Sequence, residues 1–385
     1  MKGKQWDNKE VERLLELHSS DTDYNAIAAT LAEEFGRRMS GDSVYMKLKR
    51  LGVLGTNGPK SFEELVEVEK GAARDRQQAR AERREIQELA RWENFCEMIK
   101  DAITPLDFKY KPRPQPKAKS RNAEQAVLNI SDAHFGKKTS KYDMKIGEKR
   151  FTQLVDSVID IISIHRQSYP IDILNVFWEG DILDGENIFR NQAHYLDAHV
   201  VDQIFKMAPP VTDQLARLAN EFKQVNHVCV RGNHGRVSKD SHDDANFDRI
   251  FYKVLETATR HIPNMTWSIP EGWHAMTKIY DTRFLIIHGN QIKMTLNLPW
   301  YGITTRVSRW AATEDVSGFD VVCMGHFHSS SVIRWSQKRI FSNGTFVTGD
   351  QFALEMLGLE SSQSQWLFGV HPKRGTTWDY EIRFD

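Results

Sequence analysis

Very little in this chain points to an oxidising compartment or to a membrane. Its 385 residues hold three cysteines, Cys96, Cys229 and Cys323, far apart and in no pattern. That argues against a disulfide framework and for a reducing compartment. Cys229 and Cys323 fall inside expected strands, where a free thiol behaves as a small hydrophobe. No stretch approaches the ~20 apolar residues that span a bilayer, and Met1-Lys2-Gly3-Lys4-Gln5-Trp6 carries no apolar run to serve as a signal peptide. The expectation is a soluble, cytoplasmic protein with no membrane partner. An excess of one charge is missing too, since Lys+Arg and Asp+Glu are both 52. Only the local distribution of charge can then speak for a nucleic-acid partner. No internal repeat is present, and the length leaves room for a sizeable core, in two domains or in one large domain with an appendage.

What is present is a plan used five times: an apolar strand that ends in residues able to hold a metal. Val127-Leu128-Asn129-Ile130 runs into Ser131-Asp132-Ala133-His134. The stretch from Ile173 to Trp178 runs into Glu179-Gly180-Asp181-Ile182-Leu183-Asp184. Val228-Cys229-Val230 is followed by Arg231-Gly232-Asn233-His234. Phe284 to Ile287 ends in His288-Gly289-Asn290, and Val321 to Met324 ends in Gly325-His326-Phe327-His328. Ligands of open α/β sheets sit at strand ends. In extended chain, residues i and i+2 point the same way, so Asp132 and His134 can approach one ion together, and His326 and His328 share that spacing. Any one of these stretches alone would pass for a core histidine or a turn.

In this order, Asp-x-His, Gly-Asp-x-x-Asp, Gly-Asn-His, a later His and Gly-His-x-His resemble the calcineurin-like metallophosphoesterases, over roughly residues 126–385. Within that superfamily the chain looks like the Mre11/SbcD-like nuclease branch, of phage or bacterial type. The resemblance implies an α+β fold: two packed β-sheets flanked by helices, with metals at one rim. It implies a first metal site of Asp132, His134, Asp181 and His328, and a second of Asp181, Asn233, His288 and His326, with Asp181 bridging. Two divalent ions would polarise a phosphate and grip the oxygens of an in-line displacement. A water between them, its pKa lowered, would be the nucleophile, a metal-bridged hydroxide. No cysteine is a ligand, so oxygen and imidazole donors suit Mn, Fe or Zn; the resemblance implies Mn(II), with Fe, Zn or Mg as alternatives. His234 is left to donate a proton to the leaving oxygen or to stabilise charge. Relatives usually follow this histidine with Asp or Glu; here Gly235 follows, and Asp184 is the candidate to orient it. His288-Gly289 also lacks a preceding glycine. Asn343-Gly344-Thr345 resembles a loop that closes the site. His194 and His199 either line the phosphate pocket or lie on the surface. Asn297 to Gly302, followed by Arg306 and Arg309, is either a base-stacking loop or an aromatic loop packed on the domain.

Upstream, residues 1–58 read as three short helices. Asp7 with Glu10 makes a capping box, Asp23 caps the second helix, Ser40 or Asp42 starts the third, and Gly52 is placed to end it. Met39 to Gly52 resembles the recognition helix of Myb/SANT-like and GcrA-like helix-turn-helix domains. Arg37, Arg38, Lys47, Lys49 and Arg50 would form a basic edge for phosphate, and Ser43, Tyr45 and Met46 would face bases. The plainer alternative is a small protein-interaction module. Residues 59–103 read as a charged connecting helix, either a solvated spacer or a modest coiled coil whose Ile86–Ile99 end would pair a homodimer. Residues 104–125 form a linker with four prolines and a run of Lys and Arg, a tether for a phosphate backbone or simply a solvated spacer. The stretch from His199 to Phe222 is expected as helices broken at Pro209-Pro210. Residues 126–385 are the metallophosphoesterase domain.

The expected function is a two-metal phosphodiesterase, a DNA nuclease brought to DNA by its N-terminal helices. The alternative is a phosphatase or phosphodiesterase acting on small nucleotides or phosphoproteins; Arg231-Gly232-Asn233-His234 resembles the Ser/Thr phosphatase signature but lacks its following glutamate. A third reading is a non-enzymatic DNA binder with a vestigial metal fold. No segment reads as a docking site for an ATPase partner.

Overall fold

A computed structural model describes residues 6–20, 23–54, 62–102, 110–112, 123–186, 188–189, 192–239, 241–294, 299–349 and 361–384 (84–85, 88–89 and 91–102 as backbone only). The chain divides into two compact units, Met1–Gln87 and Glu88–Asp385. Of the basic linker only 110–112 and 123–125 fall among the described residues, and residues 295–298 of the aromatic loop fall outside them.

The first unit holds helices α1 (Asn8–Ser20), α2 (Tyr24–Phe35) and α3 (Gly41–Arg50), followed by the start of α4 (Phe62–Ala102). Their starts are written locally. The Asp7 carboxylate accepts from the Glu10 N–H at 2.8 Å while Glu10 accepts from the Asp7 N–H at 3.0 Å, a reciprocal cap. Asp23 caps α2 and Ser40 caps α3, and Gly52 follows α3 at φ +70°. Leu14, Leu15, Ile27, Leu31, Val44 and Leu48, spaced by helical period, close a small core.

The second unit is an α+β sandwich, the architecture that the resemblance implied. Strands β1 (Glu124–Ile130), β2 (Ile171–Trp178), β3 (Gln224–Cys229) and β4 (Met265–Ser268) lie parallel. With β10 (Ser364–His371) and β11 (Gly375–Arg383) they make a six-stranded sheet ordered β11-β10-β1-β2-β3-β4. The second sheet, β5-β6-β7-β9-β8, joins β5 (His274–Ile279), β6 (Thr282–Ile287), β7 (Val321–Met324), β8 (Ser331–Trp335) and β9 (Lys338–Ser342).

Strand alternation divides the core into layers. Val127, Phe177, Val228 and Phe368 face Phe284, Ile286, Val321 and Phe341 between the sheets. Leu128, Leu174 and Val176 turn outward onto α5 (Met144–His165), α6 (Val200–Glu221) and α7 (Phe247–Thr259). Leu285, Ile287 and Val322 turn onto α8 (Pro299–Ala311). Strands covered on both faces read as unbroken apolar runs, which is why these segments are legible as buried strands.

One expected break is absent. Pro209 and Pro210 lie inside α6, which runs unbroken through them. The missing N–H groups would free the carbonyls of Phe205 and Lys206 four residues back. Both residues are on the exposed side of the helix, where water can satisfy them, and the buried face from Ile204 to Leu218 holds the axis. Among the described residues, no helix is long and apolar enough to cross a membrane.

Candidate metal centre

Register brings the strand ends to one rim. Ile130 pairs with Trp178 and Trp178 with Cys229, so the segments after β1, β2 and β3 leave the sheet side by side. The turns are then stitched together. The Asp132 N–H donates to Gly180 O at 3.1 Å, and the His134 N–H to Asp181 O at 3.0 Å. From the second sheet, β6 and β7 deliver His288 and His326 to the same place. The His326 N–H donates to both oxygens of Asp132, at 3.1 and 2.9 Å.

Two clusters of the expected ligands result, and a third group joins His134 to Asp184 and His234. Asp132, His134 and His328 form the first: His328 Nε2 lies 3.1 Å from His134 Nε2 and 3.2 Å from Asp132 Oδ1. Asp181, His288 and His326 form the second, with His288 Nε2 2.9 Å from Asp181 Oδ2 and 3.0 Å from Asn233 Oδ1. All seven residues read from the sequence as metal ligands are thus assembled, in two groups joined by the Asp132–His326 contact. His288 is aimed by its other nitrogen, 2.8 Å from Glu179 O.

The donor set suits divalent cations. Asp132, Asp181 and Asp184 are buried carboxylates, and buried charge needs a counter-charge. His134 Nε2 and His328 Nε2 point at each other, while buried His134 Nδ1 has no hydrogen-bond partner. Burial and the neighbouring His234 hold His134 well below the ordinary histidine range. Burial and His288 push His326 down to about 3. Burial therefore favours the neutral, ligating form of these two rings, whereas His288 would have to give up its proton to a cation that takes its place beside Asp181. Burial alone would lower His288, but the Asp181 carboxylate outweighs it and pushes the ring up to about 9. Asp181, which burial would raise, is held well below the carboxylate range by His288 and His234.

Backbone strain marks the same residues. Among the described residues, seven that are not glycine have positive φ; five are Asp132 (+49°), His134 (+46°), Asp181 (+53°), His326 (+73°) and His328 (+51°). The left-handed region costs a side chain about 1–2 kcal/mol, and such strain gathers at functional sites.

His234 sits beside the first cluster, its ring 4.6 Å from that of His134. His234 Nδ1 lies 2.9 Å from Asp184 Oδ1, so the structure brings together the histidine and the carboxylate named for it. Gly235 could not carry an orienting acid, because a Cβ there would stand 2.8 Å from Asn246 Oδ1 and 3.2 Å from Asp248 Cγ. Burial works against a charge on His234, but Asp181 and Asp184 outweigh it and raise its pKa.

Asp248 is a residue that sequence reasoning missed. Its buried carboxylate accepts from the N–H groups of Asp181, Ile182, Leu183 and Gly232 at 2.9–3.0 Å. It thereby pins both ligand loops, while Asn246, the N-cap of α7, donates to Gly232 O. A helix-start Asn-x-Asp looks like ordinary capping, so no local signal points to this role. Thr345 donates to Asp132 O at 2.7 Å, which puts the Asn343-Gly344-Thr345 loop against the site. His194 and His199 are exposed, and His199 lies 3.3 Å from Glu186.

In the first unit, Arg38, Tyr45, Lys49 and Arg50 are exposed and Lys47 is half-buried. Burial and Arg50 lower the pKa of Lys47. Arg37 departs from the expected basic edge. Its guanidinium pairs with the buried Glu10 at 2.9 Å and lies 5.0 Å from the Trp6 ring. Once Glu10 is buried by the α1 cap it needs a cation, and Arg37 supplies it from inside the unit.

No family model matches the chain. The SPbeta prophage-derived uncharacterized protein YonJ of Bacillus subtilis (strain 168) is 21% identical over 275 residues, 67% of this chain. The match spans 64% of that protein's length. Among solved structures, a conserved Streptococcus pneumoniae TIGR4 protein described as a predicted phosphoesterase is 11% identical, with TM-score 0.30 over 68% of this chain and 98% of that one. Entamoeba histolytica Vps29 complexed with zinc is 13% identical, with TM-score 0.29 over 68% and 99%. A protein described as a novel archaeal phosphodiesterase is 12% identical, with TM-score 0.31 over 67% and 99%.

Proposed function

We propose that this chain is a metallophosphoesterase that hydrolyses phosphodiester bonds in DNA, a nuclease loaded with two divalent cations. The observation that carries the reading is the pair of buried clusters at one rim, with the His234–Asp184 pair beside them. Asp132, His134 and His328 would hold one cation; Asp181, Asn233, His288 and His326 would hold the other, with Asp181 the shared carboxylate. When bound, two such cations supply charge to polarise a phosphate and activate water. Oxygen and imidazole donors suit Mn(II), with Fe, Zn or Mg as alternatives.

The chain's own residues do the rest. Asp184 holds Nδ1 of His234, which leaves Nε2 to carry a proton to the departing oxygen. The His234 side chain is 22% exposed, enough for a substrate to reach it. Asp248 keeps the Asp181 and Gly232 turns in register so that the ligands converge. In the first unit, exposed Lys49 and Arg50 at the end of α3 suit phosphate contacts, and Tyr45 and Met46 on the same helix suit a groove. DNA is the proposed partner on that ground.

The test is incubation of the full chain with Mn(II) and end-labelled single- and double-stranded DNA, beside a chromogenic phosphodiester and monoester. Cleavage of DNA that a chelator stops, and that Asn233→Ala and His326→Ala abolish without loss of the folded circular dichroism signal, is the expected result. Hydrolysis of the small esters with DNA untouched would move the protein to the phosphatases or phosphodiesterases that act on small nucleotides or phosphoproteins.

A further inference from the structure

Phe189 is a large apolar side chain left 46% exposed at the edge of the buried site. Its ring centroid is 4.5 Å from that of His234, with the planes tilted by 42°. The segment beneath it is tied to the catalytic pair. Gln192 Oε1 accepts from the N–H groups of Ile188 and Phe189 at 2.9 and 3.2 Å. Its Nε2 donates to Asp184 Oδ1 at 2.6 Å, the same oxygen that meets His234 Nδ1. Gln192 is itself buried, so the link is shielded from water. One carboxylate oxygen therefore registers both the proposed proton donor and the backbone that presents the aromatic ring.

That registration says what the ring is for. A proton donor to the departing oxygen must stand on the departing side of the phosphorus, and Phe189 packs against that donor. On that reading the departing group lies on the side of the site where Phe189 stands partly exposed. A flat aromatic surface at that position gains most from a flat partner, as bases stack on aromatic side chains in single-strand binders. Resting on the phosphodiesterase reading, we propose that Phe189 is a specificity-determining residue that stacks on the nucleobase of the departing nucleoside. The site would then select nucleotide diesters by the base on one side of the scissile bond.

The experiment uses the full chain with Mn(II) and dinucleoside phosphates made abasic on one side or the other. The product that keeps the phosphate identifies the departing nucleoside. Removing the base from the departing side is expected to lower kcat/KM roughly ten-fold or more, and removing it from the retained side to cost far less. Phe189→Ala should flatten the departing-side ratio, and Phe189→Trp should restore it. An unchanged ratio in Phe189→Ala, or a wild-type protein indifferent to the departing base, overturns the proposal while leaving the phosphodiesterase reading in place. If no diester is hydrolysed while monoesters are, that reading fails and takes the stacking role with it.

Discussion

Asp132, His134, Asp181, His326 and His328 hold φ between +46° and +73°, a conformation that glycine would adopt freely. These side chains converge at the rim in spite of that cost, and the fold bears the strain. Comparing His328→Gly with His328→Ala isolates that strain, because both lose the imidazole and only one relaxes the backbone. In metal-free protein, His328→Gly should be the more stable of the two by about 1 kcal/mol, read by urea denaturation; equal stabilities would mean that the turn is not strained. His227 gives a second prediction at this scale. It is buried, accepts from Trp178 Nε1 at 3.1 Å and stacks on Trp267. Burial pushes its pKa down to about 3, against about 6.5 in an unfolded chain. The unfolded chain therefore takes up a proton that the folded one refuses. Stability from this group is complete above about pH 6.5 and falls as pH drops towards 3. His227→Gln should reduce the slope of unfolding free energy against pH, between pH 6 and 4, by up to about 1.4 kcal/mol per unit. A slope identical to wild type would show that His227 is not the titrating group.

At the scale of elements, the first turn of α7 does more than begin a helix. Asn246 caps it, and Asp248, two residues on, serves four N–H groups in the turns after β2 and β3. Asp248→Ala would leave those buried donors unpaired, at about 1–3 kcal/mol for each that finds no substitute. The expected outcome is a loss of more than about 3 kcal/mol in stability, together with loss of Mn(II) binding by calorimetry. Retained metal binding would show that the loops hold themselves. Gly232 belongs to the same device. A Cβ there would stand 2.0 Å from Asp181 Oδ1, so the backbone can only pass this close to the carboxylate without a side chain. Helix α6 shows how packing decides an element against local propensity. Two adjacent prolines predict a break, yet they fall on the exposed side and one buried face runs past them.

At the scale of the whole molecule, two compact units with separate cores divide the work proposed here. If the first unit serves to bind DNA, its charges should matter for DNA and not for chemistry. Lys49→Glu with Arg50→Glu should weaken binding to DNA and flatten the dependence of log affinity on log salt by roughly 0.9 for each phosphate no longer neutralised. Hydrolysis of a small chromogenic diester should hold at the wild-type rate. An unchanged salt dependence would leave α3 as a protein-interaction face.

The two-sheet architecture and the choice of seven rim residues rested on the family resemblance, whereas the sequence by itself determined the strands that end at the rim and the residue types after them. Those signals are local: a buried strand must be an apolar run, and a ligand at its end must come within the next few residues. Asp184 is legible for the same reason, since it lies three residues beyond Asp181. Only the tertiary structure decided what depends on groups distant in sequence. Three of the four backbone N–H groups that Asp248 serves lie more than 60 residues away, and a backbone N–H carries no residue identity to read. Arg37 changes from a surface charge to an internal one because Glu10, on another helix, is buried. Phe189 gains its meaning from Gln192 and Asp184, which place it against His234. Strand periodicity announces where ligands will be, whereas the groups that hold them in place are chosen by three-dimensional proximity, which the order of residues does not encode locally.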